Sequence, residues 1–215
     1  MSKIIFSNNE FVLQLDGSIY WPSKKCLILC DLHLEKSSYF AKLGSFLPPY
    51  DSYETLKRLQ NSLNNLEVRK IILLGDIFHD KDGLKRLNSK LQTYLENLCK
   101  KFKVIWLAGN HDGSIRPKFA KFCYKYKLDN INFNHKSVKK CVNELSGHYH
   151  PKATINSFRI RISKPCFLIS EKKIILPAYG CFTGGIDSKS KIFKDVINDK
   201  YKTFILLNKN IVEVN

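Results

Sequence analysis

Apolar positions in the first half of the chain form short unbroken runs separated by segments of helical period. Cys26-Leu27-Ile28-Leu29-Cys30, Ile71-Ile72-Leu73-Leu74 and Val104-Ile105-Trp106-Leu107 have strand length, and continuous apolarity implies strands covered on both faces. Between them, Tyr53, Leu56, Leu59, Leu63 and Leu66 recur at three- and four-residue spacing. That spacing predicts a helix over 51–66 with Asp51 or Ser52 as its N-cap. Leu84, Leu87, Leu91, Leu95 and Leu98 predict another helix, starting near Gly83 and capped by Asp80 or Asp82. Ahead of these, residues 3–6 and 11–15 alternate around Asn8-Asn9, and Asp16-Gly17 is a turn signal. An antiparallel hairpin ending at Pro22 is therefore expected.

The second half is more β-like, with short strands predicted at 129–134, 139–145, 153–162, 166–169, 173–176, 203–207 and 211–214. Lys118 to Lys127 interleaves basic and aromatic residues. Stacked rings and lysines would suit nucleic acid, but Phe119, Phe122, Cys123 and Tyr126 share one helical face. An amphipathic helix with a core stripe is the reading adopted here. With no repeat and no linker, the pattern predicts an α/β fold in one domain, 1–215.

Composition supports a sizeable core: 44% of the 215 residues are hydrophobic and 12% aromatic, which excludes a disordered chain. The formal net charge is +17, which favours polyanionic partners. Lysine supplies nearly all of that excess, so compositional bias of the source is the competing explanation. Seven cysteines without a C-x-x-C pair argue against a disulfide framework or zinc ribbon and point to a reducing, cytoplasmic setting. The N-terminal residues turn polar too soon for a signal peptide. No apolar run approaches the roughly 18 residues that would span a bilayer, so no membrane partner is expected.

The histidines change the picture most. Five of the six, His33, His79, His111, His148 and His150, lie in short clusters with Asp, Asn or Gly after an apolar run, and His135 follows the alternating segment 131–134. The elements are Asp31-x-His33, Gly75-Asp76, Gly109-Asn110-His111-Asp112 and Gly147-His148-x-His150. In α/β sheets the carboxyl ends of strands are where sites are assembled. A histidine beside an acid, as in His111-Asp112, is a common way to build a proton donor. An extended backbone would turn Asp31 and His33 to one face, and His148 and His150 likewise.

This ordered set resembles the calcineurin-like metallophosphoesterase family over nearly the whole chain. The resemblance implies a four-layer α/β/β/α sandwich of two mixed sheets flanked by helices. It also implies two divalent cations, manganese foremost with iron or zinc possible, for which mixed carboxylate, imidazole and amide ligands are suited. Asp31, His33 and His150 would hold the first and Asp76 would bridge. Asn110, His135 and His148 would complete the second. A metal-bridged hydroxide would attack phosphorus, while His111 would protonate the leaving group with Asp112 orienting its ring. Segments 31–36, 47–49, 147–151, 164–167 and 176–185 are similar to the ligase-associated DNA damage response endonuclease subgroup, PdeM. That likeness implies phosphodiester hydrolysis on DNA in repair, beside partners such as a ligase or helicase. Two departures stand out: the subgroup has glycine where Glu35 stands, and Glu-Pro where Lys136-Ser137 follow His135.

Arg159 and Arg161 alternate with isoleucines and suit either phosphate contacts or an exposed strand face. Lys36 and Lys42 are candidates for steering phosphate. His79 reads as structural support rather than as a ligand. The rival functions are a small-molecule nucleotide phosphodiesterase or phosphatase, and a non-catalytic nucleic-acid or protein-binding scaffold.

Overall fold

The computed structural model describes residues 2–157 and 160–214. The N-terminal strands β1 (Ser2–Phe6), β2 (Asn9–Leu13) and β3 (Ile19–Trp21) form an antiparallel meander. Ser7 and Asn8, both at positive φ, turn the first hairpin. The Asp16-Gly17 turn closes the second, with the Asp16 carboxylate accepting from the Ser18 amide and hydroxyl. The predicted buried runs follow as β4 (Cys26–Leu29), β5 (Lys70–Leu73) and β6 (Lys103–Leu107). They pair in parallel, and the sheet runs β1-β2-β3-β4-β5-β6-β7, with β7 at Lys121–Cys123.

The second sheet comprises β8 (Lys125–Leu128), β9 (Ile131–Asn134), β10 (Glu144–Ser146), β11 (Pro151–Ser157), β12 (Ile160–Ile169), β13 (Lys173–Ile175) and β14 (Ile186–Asp187). Its order is β14-β11-β12-β13-β10-β9-β8, and β15 (Lys202–Leu206) and β16 (Ile211–Val214) extend from β12. The continuous apolar runs divide by pleat. Ile28, Cys30, Ile72, Leu74, Ile105 and Leu107 face the second sheet. Leu27, Leu29, Ile71, Leu73, Val104 and Trp106 face helices α2 (Asp51–Asn65) and α4 (Ser89–Lys101). The outer face of the second sheet packs on Phe193 and Ile197 of α5 (Lys191–Ile197). Two mixed sheets thus lie between helical layers, as the resemblance implied.

Several elements differ from the sequence reading. Lys118 to Lys127 is not a helix: β7 and β8 are short edge strands, one in each sheet. Phe122 packs on the helix side of the first sheet while Cys123 and Tyr126 pack between the sheets, and strand wins because this segment carries the chain from one sheet edge to the other. The Leu84 to Leu98 helix is two, α3 (Gly83–Arg86) and α4. Asn88 breaks it by capping α4, accepting from the Lys90 amide at 2.8 Å. Asp82 makes no cap hydrogen bond, and Asp80 binds Arg86 instead. Asp51 and Ser52 likewise serve another element. Asp51 accepts from the Ser37 amide and hydroxyl, and Ser52 hydrogen-bonds Glu35, at the start of an unforeseen helix α1 (Lys36–Lys42). The strand predicted over 153–162 is two antiparallel strands, β11 and β12. In the segment predicted as strand over 139–145, β10 begins only at Glu144.

Candidate metal centre

The strand ends β4, β5 and β6 emerge side by side, and their loops run parallel past the sheet edge. The Asp31, His33 and Leu34 amides donate to the Gly75, Asp76 and Ile77 carbonyls, and His79 returns a bond to Leu34. The expectation of extended backbone at the paired motifs fails. Asp31, His33, Asp76, His148 and His150 all take left-handed backbone, with φ of 53°, 45°, 49°, 72° and 47°. Asp, Asn and His tolerate that region better than most residues. Five such residues, three at strand ends of the first sheet and two after β10 of the second, mark stored strain at a working site. Left-handed residues alternating with Leu32 and Tyr149 still bring each pair of side chains inward.

The ligand-type atoms gather in overlapping groups, each within 4.8 Å: Asp31, His33 and His150; His33, Asp76 and His111; Asp76, His135 and His148. Asp31 and Asp76 are buried. One Asp31 oxygen accepts from the His148 amide at 2.8 Å. The other, Oδ1, is buried with no hydrogen-bond partner among the described residues and lies 3.4 Å from His150 Nε2. Asp76 Oδ1 accepts from the His111 amide at 2.9 Å, and Oδ2 lies 3.3 Å from His135 Nε2.

The histidine tautomers follow from main-chain partners. His135 Nδ1 lies 2.8 Å from the Leu74 carbonyl and must donate there. Its Nε2 then faces Asn110 Oδ1 at 2.8 Å and His148 Nδ1 at 3.2 Å. Such a crowd of acceptors is satisfied by a cation, or by a second proton on the ring. The metal-free balance takes the second course: burial opposes the charge, but Asp76 and Asp31 outweigh it and raise the His135 pKa to about 9. Burial lowers His33 to about 3, and its Nε2 sits 3.2 Å from that of His150. Burial works against ionised Asp31, yet the His150, His135 and His33 rings hold its carboxyl well below the usual range. The orphaned Asp31 oxygen, the paired carboxylates and the inward imidazoles fit divalent cations.

His111 is set apart by its exposure. Its Nδ1 lies 2.8 Å from the His79 carbonyl, which makes it the donor, and Nε2 is 3.9 Å from Asp76 Oδ2. Asp112 does not orient this ring. It is fully buried, and it accepts from the Ile77 and Phe78 amides at 2.6 and 3.1 Å and from the Gly109 amide at 3.2 Å. Asp112 therefore clamps the Asp76 loop to the Asn110 loop, a job for a buried acceptor surrounded by donors. Burial raises its pKa to about 6 against those amides. Gly109 allows the close approach: a Cβ there would lie 2.0 Å from Asp76 Oδ1.

The sequence reading gave His79 a structural role without showing which residue it supports. Its ring stacks on His111 with centroids 5.4 Å apart and touches Tyr39 at 4.8 Å, while its carbonyl fixes the His111 tautomer. Only its place beside Asp76 in sequence signalled this. Lys36 is brought to the site's rim. Arg161 is not: it is exposed and pairs with Asn156, six residues beyond His150 and so about 20 Å along the strand. Arg159 lies outside the described residues. Glu35 has φ 64°, where glycine is free of strain. Its carboxylate accepts from Ser38 at 2.6 Å and Ser52 at 2.9 Å. Ser137 donates to buried Glu144 at 2.6 Å and accepts from Lys173 at 3.0 Å.

A family model described as calcineurin-like phosphoesterase matches residues 24–207. The chain belongs to that family. The calcineurin-like phosphoesterases are dinuclear metal-dependent hydrolases of phosphoester bonds, consistent with the three overlapping ligand groups. The fold is similar to that of the Pseudomonas putida nuclease MPE, with TM-score 0.79, 23% identity and 99% of each chain covered. No curated protein sequence matches the chain. Among the described residues, no helix is long and apolar enough to cross a membrane.

Proposed function

We propose that this phosphoesterase cuts phosphodiester bonds in a polynucleotide, with DNA as substrate and manganese as the preferred cation. The observation that carries the reading is the pair of adjoining clusters, Asp31–His33–His150 and Asp76–His135–His148, beside the exposed His111. Asp31, His33 and His150 would hold one cation, and Asp76, Asn110, His135 and His148 the other. When bound, the cations supply charge neutralisation at the phosphate oxygens and a water acidified enough to act as nucleophile.

The protein groups do the rest. His111 donates through Nδ1 to a carbonyl, so Nε2 is left facing the cleft and, when the ring is the imidazolium, holds a proton for the leaving alkoxide. His79 holds that tautomer, and Asp112 holds the loop. The cleft beside His111, about 590 Å³ and lined by Tyr39, His79, Asn110 and Gly113, opens broadly to solvent. An open site and a net charge of +17 suit a polymer better than a small nucleotide. That the structurally similar Pseudomonas putida protein is a nuclease supports the same choice. A place in DNA repair rests on the subgroup-like segment 176–185.

The test is turnover of an aryl phosphodiester, a monoester, a 3′,5′-cyclic nucleotide and labelled DNA by manganese-loaded wild type and His111→Ala. DNA and the aryl diester should be cleaved. His111→Ala should lose about 10²- to 10⁴-fold on DNA, and less on the aryl diester, whose leaving group needs no proton. Diester cleavage with DNA untouched would overturn the polynucleotide reading.

A further inference from the structure

Two lysines flank the first ligand group without entering it. Lys36 lies three residues after His33, and Lys152 two residues after His150. Both are half-buried, and both reach the same loop. Lys36 Nζ donates to the Phe182 carbonyl and Lys152 Nζ to the Thr183 carbonyl, each at 3.0 Å. That loop spans the first ligand group. The Gly180 amide donates to the Asp31 carbonyl and the Ile186 amide to the His150 carbonyl. Main-chain bonds to two of the three ligands therefore fix where the ammonium groups stand.

An ammonium has three donors and a full charge. Each of these spends one donor on a neutral carbonyl, and among the described residues neither forms an ion pair. The two charges repel: burial first, then Lys152, lowers the Lys36 pKa, with Asp51 only partly offsetting them. Held cations with spare donors, adjacent but not neutralised, are what a phosphate would complete.

Resting on the phosphodiesterase reading above, we infer that Lys36 and Lys152, braced by the Phe182 and Thr183 carbonyls, form a subsite for a second phosphate. Its ligand is the internucleotide phosphate next to the one being cut. The pair discriminates a polynucleotide from an isolated diester.

The experiment compares kcat/KM for a trinucleotide with two diester links against a dinucleotide with one, under manganese. It uses wild type, Lys36→Met, Lys152→Met and both Lys→Arg variants. Each selectivity is a ratio within one preparation, so partial misfolding cancels. Wild type should favour the trinucleotide. Each Met variant should lower that ratio by about 10-fold or more, since hydrogen bonds to charged groups are involved, and each Arg variant should keep most of it. A trinucleotide whose flanking link is an uncharged methylphosphonate should lose the same preference in wild type and lose nothing further in the Met variants. A ratio within twofold of wild type in both Met variants would overturn the subsite. So would equal losses on both substrates. If wild type cleaves neither substrate, the phosphodiesterase reading fails and the subsite falls with it.

Discussion

Gly109→Ala is the smallest change that should dismantle the site. A Cβ at this position would sit 2.0 Å from Asp76 Oδ1 and 2.1 Å from the Asp76 amide nitrogen, against about 3.4 Å for ordinary contact. The shortfall of about 1.4 Å falls on backbone and on a buried carboxylate held by the His111 amide, so no flexible side chain can absorb it. Either Asp76 retreats or the loop carrying Asn110 and His111 lifts away. Overpacking of this kind costs about 1–3 kcal/mol, which for a chain of this size lowers Tm by roughly 2–12 °C. Misplacing reacting groups by about 1 Å costs on the order of 100-fold in rate. Turnover of an aryl diester, thermal denaturation and bound metal should be measured on one preparation. The expected variant is folded, modestly destabilised, short of metal and at least about 100-fold slower. Wild-type turnover with a full metal complement would refute the close-approach argument.

Other consequences are accessible by simple variants. Asp112→Asn replaces one acceptor oxygen with an NH₂ group facing the Ile77 and Phe78 amides or the Gly109 amide. Stability should fall by about 1–3 kcal/mol in urea titration, the penalty for an unsatisfied buried donor; an unchanged midpoint would contradict the clamp. Lys173 is buried and donates to Ser137, Val138 and Val196 beside buried Glu144. Lys173→Met should cost about 3–5 kcal/mol by leaving a buried charge unpaired. Adding Glu144→Gln should recover part of that loss in the same titration.

The buried strands of the first sheet and the candidate residues at their ends were legible for one physical reason. Unbroken apolar runs 26–30, 71–74 and 104–107 have a single economical placement, and polar motifs at their ends then share a sheet edge. What failed depended on partners distant in sequence. Asp112 looked like the orienter of His111 because the two are adjacent, yet the donors it meets belong to residues 77, 78 and 109. Asp51 and Ser52 looked like caps, but α1 supplied better donors. The strand pair at 121–128 kept a spacing that a helix also satisfies, and only the two sheet edges decide between them. Left-handed backbone at Asp31, His33, His148 and His150 has no spacing signal at all.

The measurement closest to the central claim is metal stoichiometry with diester turnover in wild type and Asp76→Ala. Asp76 belongs to two of the three ligand groups, facing His33 and His111 on one side and His135 and His148 on the other. The account predicts about two divalent cations per wild-type chain, fewer in the variant, and turnover reduced by about 100-fold or more. Equal turnover in the two proteins, or full wild-type activity with no bound metal, would contradict it.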